Sequence, residues 1–532
     1  MPGSGKFPGS SRPSPERWPF AISDVTRLFV HARVLTQDPT LPVAEAFAVR
    51  AGRILEVGGT DEILWLRAGD HEIHDLGGRT VVPGFVDPHN HFSVGAFETL
   101  WGDCRAAASV ADVQQALRAT AARTPAGAWV RAVGYDHARL GRRHPTRGEL
   151  DEAVPDRPAL LMHYSHHQAV LNSRALAAAG IVRATPDPPG GEIARDRSGE
   201  PTGLVYERAM GLAETLSRSG WEPRFVEVAR EASLRYAALG ITAVQDVAVS
   251  PATARRYAAA RAAGALAIDV GEVMVGSTGW FDPPDDAAPG GLKLFVDGGY
   301  RCALRLRRDG QARRTGVLFY EAADLARRML GAWRAGRRVV CHAIGDLGVE
   351  TAVDAIEAAL RAEPSGRGRV RIDHAIFLTR GLIARLGDLG VSVVAQPSFL
   401  WDSGGRSPDR HLLVRPFASV AAAGVHQAFS SDFPCGSLAP LTGIAAAVTR
   451  ASRSGEVAAP EEAVAAADAL EAYTLGAARA AGIDGEHGSL EPGKRADFVV
   501  LSDDPTASAP DRISAIDVLE TWVRGARAYA RP

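Results

Sequence analysis

Two histidines separated by one residue, His89 and His91, end an apolar segment that reads VVPGFVDPHNH. Side chains two residues apart on a β-strand face the same side, so both imidazoles are expected to project together. Imidazole nitrogens suit borderline divalent ions such as Zn²⁺. Taken alone, the spacing is more often that of two ordinary surface or core histidines. The pair therefore indicates a metal site only if further ligands join it.

Four more groups that can take part in a metal site lie within, or at the C-terminal end of, other predicted strands. They are Lys293 in KLFVDG, His342 in VVCHAIGD, His374 in RIDHAIF and Asp432 in FSSDFP. In a (β/α)8 barrel, the C-terminal rim brings together side chains that are far apart in sequence. An Asp oxygen can both bind a metal and accept a proton. The coincidence of six such residues at strand ends predicts one metal-binding active site.

Lys293 has an unusual place in the composition. Lysine occurs at only three positions among 60 basic residues, and Lys293 lies in the apolar strand GGLKLFVDGG. Burial lowers the pKa of an amine, and a neutral amine can react with CO₂ to give a carbamate, whereas a guanidinium cannot. The alternative is a structural ion pair with a buried carboxylate such as Asp297. Asp373, beside His374, is expected to point to the opposite face of its strand and to be structural.

The elements that must position these residues are predicted from the alternation of short apolar strands with Ala- and Arg-rich helical stretches, which is typical of parallel βα units. Ten strands are predicted in the middle of the chain, whereas a closed barrel has eight. Two of them, WVRAVGY and PALLMHYS, fall in an irregular stretch at about 92–221 and are assigned to an insertion. The fold class is therefore α/β, a (β/α)8 barrel over residues 83–482.

The two ends of the chain have a different pattern. Short β segments over 25–82 and 483–532 predict a small β-sandwich domain built from both termini. Residues 1–24 are rich in Gly, Ser and Pro and predict a flexible N-terminal tail without a secretory signal.

Composition narrows the possible functions. The chain has 532 residues, 46% hydrophobic and 23% charged, with a formal net charge of -2. This composition is that of a globular protein and gives no long-range attraction for nucleic acid or an anionic membrane. The four cysteines are widely separated and lack a CxxC pair, which favours a reducing, cytoplasmic location over a disulfide scaffold.

A family resemblance rests on a series of motifs that runs from about residue 25 to the C-terminus. They are PGFVDPHNH, PPGGEIARDRSGEPTGLVYE, KLFVDG, CHAIGD, RIDHA, AQPSF, SSDFP and GSLEPGKRADFVVL. With these motifs the chain resembles the metal-dependent amidohydrolase superfamily, and most of all its amidohydrolase-3 branch, which contains N-substituted formamide deformylase.

The resemblance implies a hydrolase that uses a metal-activated water to cleave a non-peptide carbon–nitrogen bond of a small molecule: an amide, an N-formyl or N-acyl amine, or a cyclic imide. It implies two Zn²⁺ ions bridged by carboxylated Lys293, with a one-metal variant possible. His89 and His91 would bind the more buried ion, and His342 and His374 the more exposed one. Asp432 would bind the buried ion and act as general base. The resemblance also favours a homodimer.

Two other functions remain open at this point. The same metal-activated water can serve a deaminase or an esterase. Because a fold does not fix a function, a non-catalytic regulatory protein on a retained barrel is the other alternative.

Candidate substrate-binding residues lie in the insertion and after the seventh barrel strand. In the insertion, Tyr135 and His137 of YDH and His167, which follows His163, Ser165 and His166, are expected at the mouth of the site. They are equally compatible with polar residues on the surface of an insertion.

Trp401 and Arg415 are candidates for contact with an aromatic or an acidic substrate, although ordinary packing or solvent exposure is commoner at such positions. Asp346, four residues after His342, either orients a ligand imidazole or caps a helix.

Overall fold

The computed structural model describes residues 18–67, 70–275, 290–307, 313–405, 409 and 411–532. The first 17 residues of the predicted N-terminal tail lie outside this part of the chain.

Eight parallel strands form the central sheet, and their order in the sheet follows their order along the chain. They are β1 (Phe85–Asn90), β2 (Ile241–Val249), β3 (Asp269–Met274), β4 (Gly291–Phe295), β5 (Val339–Ala343), β6 (Val370–His374), β7 (Ser392–Ala395) and β8 (Gln427–Phe429). The two ends of the sheet meet just beyond β8, where the Asp432 backbone N–H donates to the His89 carbonyl at 2.9 Å. The predicted (β/α)8 barrel is therefore confirmed, with the eight strands that the sequence assigned to it.

Helices lie before, between and after the barrel strands. Their bounds are Phe225–Ala237, Pro251–Ala262, Ala322–Arg334, Asp346–Ala362, Arg380–Leu389, Pro397–Ser403, Phe417–Ala422, Pro440–Thr449, Ala466–Tyr473 and Leu475–Ala481. Local sequence explains several of these boundaries. Thr379 caps the start of Arg380–Leu389 by accepting the Leu382 N–H, and Gly390, with a φ of 62°, ends that helix in the left-handed conformation.

A second sheet lies between β1 and β2 in sequence. Its six strands are Gly102–Asp103, Val130–Tyr135, Ala159–His163, Gln168–Leu171, Gly191–Arg195 and Pro201–Glu207. It is accompanied by helices Phe92–Glu98, Val110–Arg123, Arg147–Ala153, Ser173–Ala178 and Gly211–Arg218. The two strands that the sequence excluded from the barrel pair in parallel in this sheet, so their C-terminal ends lie at the same edge.

The β-sandwich consists of two further sheets. One contains Thr26–Val30, Ala46–Arg50, Arg53–Gly58 and His71–Asp75. The other joins Arg33–Leu35, Val43–Ala44 and Thr80–Pro83 to Phe498–Leu501, Val518–Val523 and Ala526–Ala530 from the C-terminus. Buried aromatic rings pack between them: the Phe29 ring lies 4.8 Å from that of Phe47 and 4.9 Å from that of Phe498. A sandwich domain built from both termini is confirmed.

The remaining described elements are short. They are helix Thr60–Leu64, strands Arg305–Arg307, Arg313–Thr315, Phe377–Leu378 and Leu413–Val414, and 3-10 helices Arg208–Met210, Glu222–Arg224, Pro364–Gly366, Pro460–Glu462 and Pro510–Ala515. Within the described ranges, every helix is too short or too polar to span a bilayer.

Candidate active site

The barrel rim brings the predicted metal ligands together. His89 and His91, at the end of β1, direct their Nε2 atoms at the same oxygen, Asp432 Oδ1, at 3.3 and 3.1 Å. His374, at the end of β6, has its ring centre 4.7 Å from that of His89 and 4.5 Å from that of His342 on β5. Four imidazoles and one carboxylate, all buried, thus share one small volume.

Two of the imidazoles are oriented by hydrogen bonds at their outer nitrogen. His89 Nδ1 lies 2.6 Å from Asp373 Oδ2, and His374 Nδ1 lies 2.9 Å from Gln396 Oε1. Both oxygens can only accept, so each ring carries its proton on Nδ1 and presents the lone pair of Nε2 to the interior. This is the arrangement by which proteins prepare histidines for metal binding.

Electrostatics favour the metal-binding forms of these groups. Burial lowers the pKa of His374 to about 3 and holds the pKa values of His91 and His342 below their ordinary range. Burial opposes ionisation of Asp432, but the imidazoles of His89 and His91 outweigh it and keep the pKa of that carboxyl well below its usual value. Neutral imidazoles and an ionised carboxylate are the forms that bind a divalent transition ion, so this donor set fits such a metal.

Lys293 lies in the barrel interior, where it is 1% exposed. Its Nζ atom is 3.5 Å from Asp373 Oδ2, and burial lowers its pKa. The partner that the sequence suggested, Asp297, has a different role: its carboxylate accepts the backbone N–H groups of Ile344, Gly345 and Leu304.

The expectation for Asp373 is wrong. Arg371 and Asp373 lie two residues apart on β6, and both face the barrel interior, where Asp373 contacts His89 and Arg371 contacts Gln245 of β2. Strict alternation would then send the next side chain outward. His374 has a φ of 80°, which breaks the pleat and brings its ring to the interior as well.

The insertion supplies part of the cavity wall over these residues. The barrel cavity is lined by His89, His91, Ser165, His166, His167, Phe295, His342, His374, Asp432 and Cys435. His167 lies with its ring 5.7 Å from that of His342, and its Nδ1 is 2.7 Å from Glu207 Oε2. The backbone after β4 passes so close that a Cβ at Gly299 would lie 2.3 Å from the His167 ring. The predicted substrate residue His167 is therefore at the site.

Comparison with known proteins identifies the family. Residues 72–529, most of the chain, match the model described as the Amidohydrolase family. The chain belongs to this family. It is 34% identical to N-substituted formamide deformylase of Arthrobacter pascens, over 95% of this chain and 98% of the relative. It is 31% identical to Protein LONG AFTER FAR-RED 3 of Arabidopsis thaliana, over 94% and 91% of the two chains.

Among solved structures, this amidohydrolase is similar to an uncharacterized metal-dependent hydrolase from Pyrococcus horikoshii OT3. The TM-score is 0.72 at 25% sequence identity, covering 91% of this chain and 99% of that one. The amidohydrolase is thus a hydrolase of a family that is metal-dependent, and the enzyme predicted from its sequence is confirmed at this level.

Other predicted substrate residues of the amidohydrolase lie elsewhere. Tyr135 donates or accepts at His144 Nδ1 (2.9 Å), and His137 Nδ1 lies 3.1 Å from His163 Nε2, in a group distinct from the lining described above. Trp401 is partly buried on helix Pro397–Ser403 and is not one of the lining residues described for the cavity.

Arg415 is a buried cation with an unusual environment. Its side chain is buried although its backbone φ is 49°, and Nη1 donates to the Gly404 carbonyl at 2.9 Å. Its Nε has no hydrogen-bond acceptor among the described residues. Burial lowers the pKa of Arg415 and outweighs the opposing electrostatic effect of Tyr300 and Tyr164.

Asp346 is the first residue of its helix, and its Oδ1 accepts the backbone N–H of Leu306 at 3.1 Å. The carboxylate beside His342 is that of Asp297, whose Oδ1 is 3.8 Å from His342 Nε2.

The sequence analysis did not identify Gln396 and Glu207, the residues that hydrogen-bond the predicted metal ligand His374 and the predicted substrate-binding residue His167. Gln396 and Glu207 carry the signal of a polar residue at a strand end, in AQPSF and GLVYE, but nothing local connects them to His374 and His167.

Proposed function

We propose that this amidohydrolase hydrolyses a carbon–nitrogen bond other than a peptide bond in a small molecule: an amide, an N-formyl or N-acyl amine, or a cyclic imide. The observation that carries the proposal is the convergence of four imidazoles, Asp432 and Lys293 in the barrel, with His89 and His374 oriented by hydrogen bonds at their outer nitrogens. The similarity to a formamide deformylase over nearly the whole chain supports this bond class.

The donor set suits two Zn²⁺ ions. His89, His91 and Asp432 would hold one, His342 and His374 the other, and carboxylated Lys293 would lie between them. Such ions, when bound, activate water at neutral pH and polarise the carbonyl under attack. The carbamate forms when the neutral Nζ of Lys293 adds to CO₂ and releases a proton, and burial at 1% exposure favours the neutral amine.

The protein's own residues supply proton transfer and orientation. Asp432 lies close to both β1 imidazoles and would take a proton from water and return it to the leaving nitrogen. His167, hydrogen-bonded to Glu207, lines the same cavity and would hydrogen-bond the substrate. Among the described residues, no carboxylate pairs with Arg415. This cation would therefore recognise an acidic group of the substrate.

The test is amine release from a panel of N-substituted formamides, N-acyl amines and cyclic imides. Wild-type protein should hydrolyse at least one class, lose activity on treatment with a chelator, and regain it with Zn²⁺. Asp432→Asn should lower kcat about 10²–10⁴-fold, whereas Asp388→Asn, at an exposed helix position, should not. A fully metallated enzyme that cleaves only esters or deaminates amines would refute the proposed bond class.

A further inference from the structure

A group of imidazoles outside the barrel cavity has the geometry of a second metal site. Asp136 and His137 follow strand Val130–Tyr135, and His163 ends the neighbouring strand Ala159–His163. Because these strands are parallel, both ends lie at the same edge of the insertion sheet. One ligand atom from each residue lies within 4.8 Å of the others.

The distances within this trio match those around one ion. His137 Nδ1 and His163 Nε2 are 3.1 Å apart, and Asp136 Oδ1 is 3.9 Å from His137 Nδ1. Two nitrogens bound at about 2.0–2.1 Å to a tetrahedral Zn²⁺ lie roughly 3.3 Å apart. The two nitrogens therefore need to move very little to share an ion.

We propose that Asp136, His137 and His163 bind one divalent transition ion of the Zn²⁺ class at a site separate from the barrel centre. Two imidazoles and a carboxylate are a donor set that suits such ions. Three protein ligands leave a fourth position for water or another small ligand.

The surroundings of His163 allow the ring to change from hydrogen bonding to metal binding without losing a proton. With the ring proton on Nε2, that atom donates to His137, and Nδ1 accepts the Ser165 backbone N–H at 3.2 Å. With an ion on Nε2, the proton lies on Nδ1, where Ser165 Oγ accepts it at 2.8 Å. An oxygen partner on the outer nitrogen is the usual companion of a metal-bound histidine.

Neighbouring rings hold the trio in place. His144 stacks on His137 with ring centres 4.5 Å apart, and the Tyr135 hydroxyl lies 2.9 Å from His144 Nδ1.

The proposed site also bears on the barrel cavity. The segment from Ser165 to His167 lines that cavity and begins two residues after His163. An ion on His163 would therefore lie beside a segment that forms part of the wall of the barrel cavity.

The experiment counts Zn²⁺ equivalents per chain by titration against a chromophoric chelator, with elemental analysis of the dialysed protein. Wild-type protein should bind one more equivalent than either Asp136→Asn or His137→Gln. Both side chains are about one-third exposed (30% and 37%), so the variants should fold, which circular dichroism would verify.

The matched control is His31→Gln, which disrupts an exposed histidine–aspartate pair, His31 Nδ1 to Asp75 Oδ2 at 3.0 Å, that has no third ligand among the described residues. This variant should bind as many equivalents as wild type. Equal stoichiometry in wild type and both site variants would overturn the proposal, and so would loss of an equivalent in the control, which indicates adventitious surface binding. Anomalous density between Asp136 and His163 in Zn²⁺-treated crystals provides a second, independent measurement.

Discussion

Replacing Asp373 by Asn should weaken metal binding at the barrel centre, although Asp373 is not itself one of the proposed ligands. The carboxylate hydrogen-bonds His89 Nδ1 at 2.6 Å and accepts from Arg371 Nε at 2.8 Å. Burial opposes its ionisation, but Arg371 and His89 lower the pKa of Asp373 below its usual range, so the substitution removes a full charge. The amide of Asn can also donate to His89 Nδ1, which would leave the ring proton on Nε2 and block the ligand atom.

The size of the effect follows from these contacts. Loss of the outer partner of a metal-bound histidine typically costs 10–100-fold in metal affinity, or about 1.4–2.8 kcal/mol. Breaking a buried ion pair from one side costs about 3–5 kcal/mol of stability. Arg371 keeps neutral acceptors at Gln245, Ala480 and Pro88, so the loss in stability should lie near the lower end of that range.

Two measurements separate these effects. Competition with a chromophoric chelator gives the Zn²⁺ affinity, and urea unfolding in the presence of a strong chelator gives the free energy of unfolding of the metal-free chain. Asp388→Asn removes an exposed carboxylate on helix Arg380–Leu389 and should change neither quantity. A folded Asp373→Asn protein with wild-type Zn²⁺ affinity would refute the assignment of Asp373 as the group that orients His89.

Three further substitutions probe other parts of the structure. Lys293→Arg keeps a long basic side chain but cannot form a carbamate, so activity should fall more than about 100-fold with loss of metal. Lys494→Arg, in a turn, should leave activity and metal content unchanged. An active, fully metallated Lys293→Arg enzyme would exclude the bridge. The Glu214 carboxylate pairs with the Arg131 guanidinium at 3.2 Å and accepts from Arg218 Nε at 2.7 Å. Burial raises the pKa of Glu214, but Arg131 and Arg218 outweigh burial and bring this pKa to about 2, below the unfolded value of roughly 4.3. This contribution to stability is therefore complete above about pH 5 and is lost as pH falls toward 2. Urea unfolding should show Glu214→Gln to be less stable by up to about 3 kcal/mol at neutral pH, with the difference shrinking in acid. A difference that does not depend on pH would show that the ion pairs of Glu214 do not stabilise the fold. Arg415→Met should keep or slightly raise the free energy of unfolding, because it removes a buried charge, while raising KM for an acidic substrate; a destabilised variant with unchanged KM would make Arg415 purely structural.

The sequence by itself determined the barrel and which residue types reach its rim. The two-residue period of a strand predicted that His89 and His91 project together, and the rule that catalytic groups lie at the C-terminal rim predicted that Lys293 and Asp432 join them. Both predictions depend only on local pattern and on the topology of parallel βα units. The eight-strand requirement of a closed barrel and the irregular stretch at about 92–221 correctly separated the two insertion strands from the barrel strands.

Tertiary structure alone decided how these ligands are held. Asp373 and His89 are 284 residues apart, and their contact exists only because the barrel closes. Alternation along β6 predicted the wrong face for Asp373, because it assumes that adjacent residues point to opposite sides. The positive φ of His374 breaks that alternation, and the pattern of side chains in the sequence does not predict this backbone conformation. Likewise, Asp136, His137 and His163 meet only through parallel pairing of two strands, since register is fixed by packing between elements rather than by either segment alone.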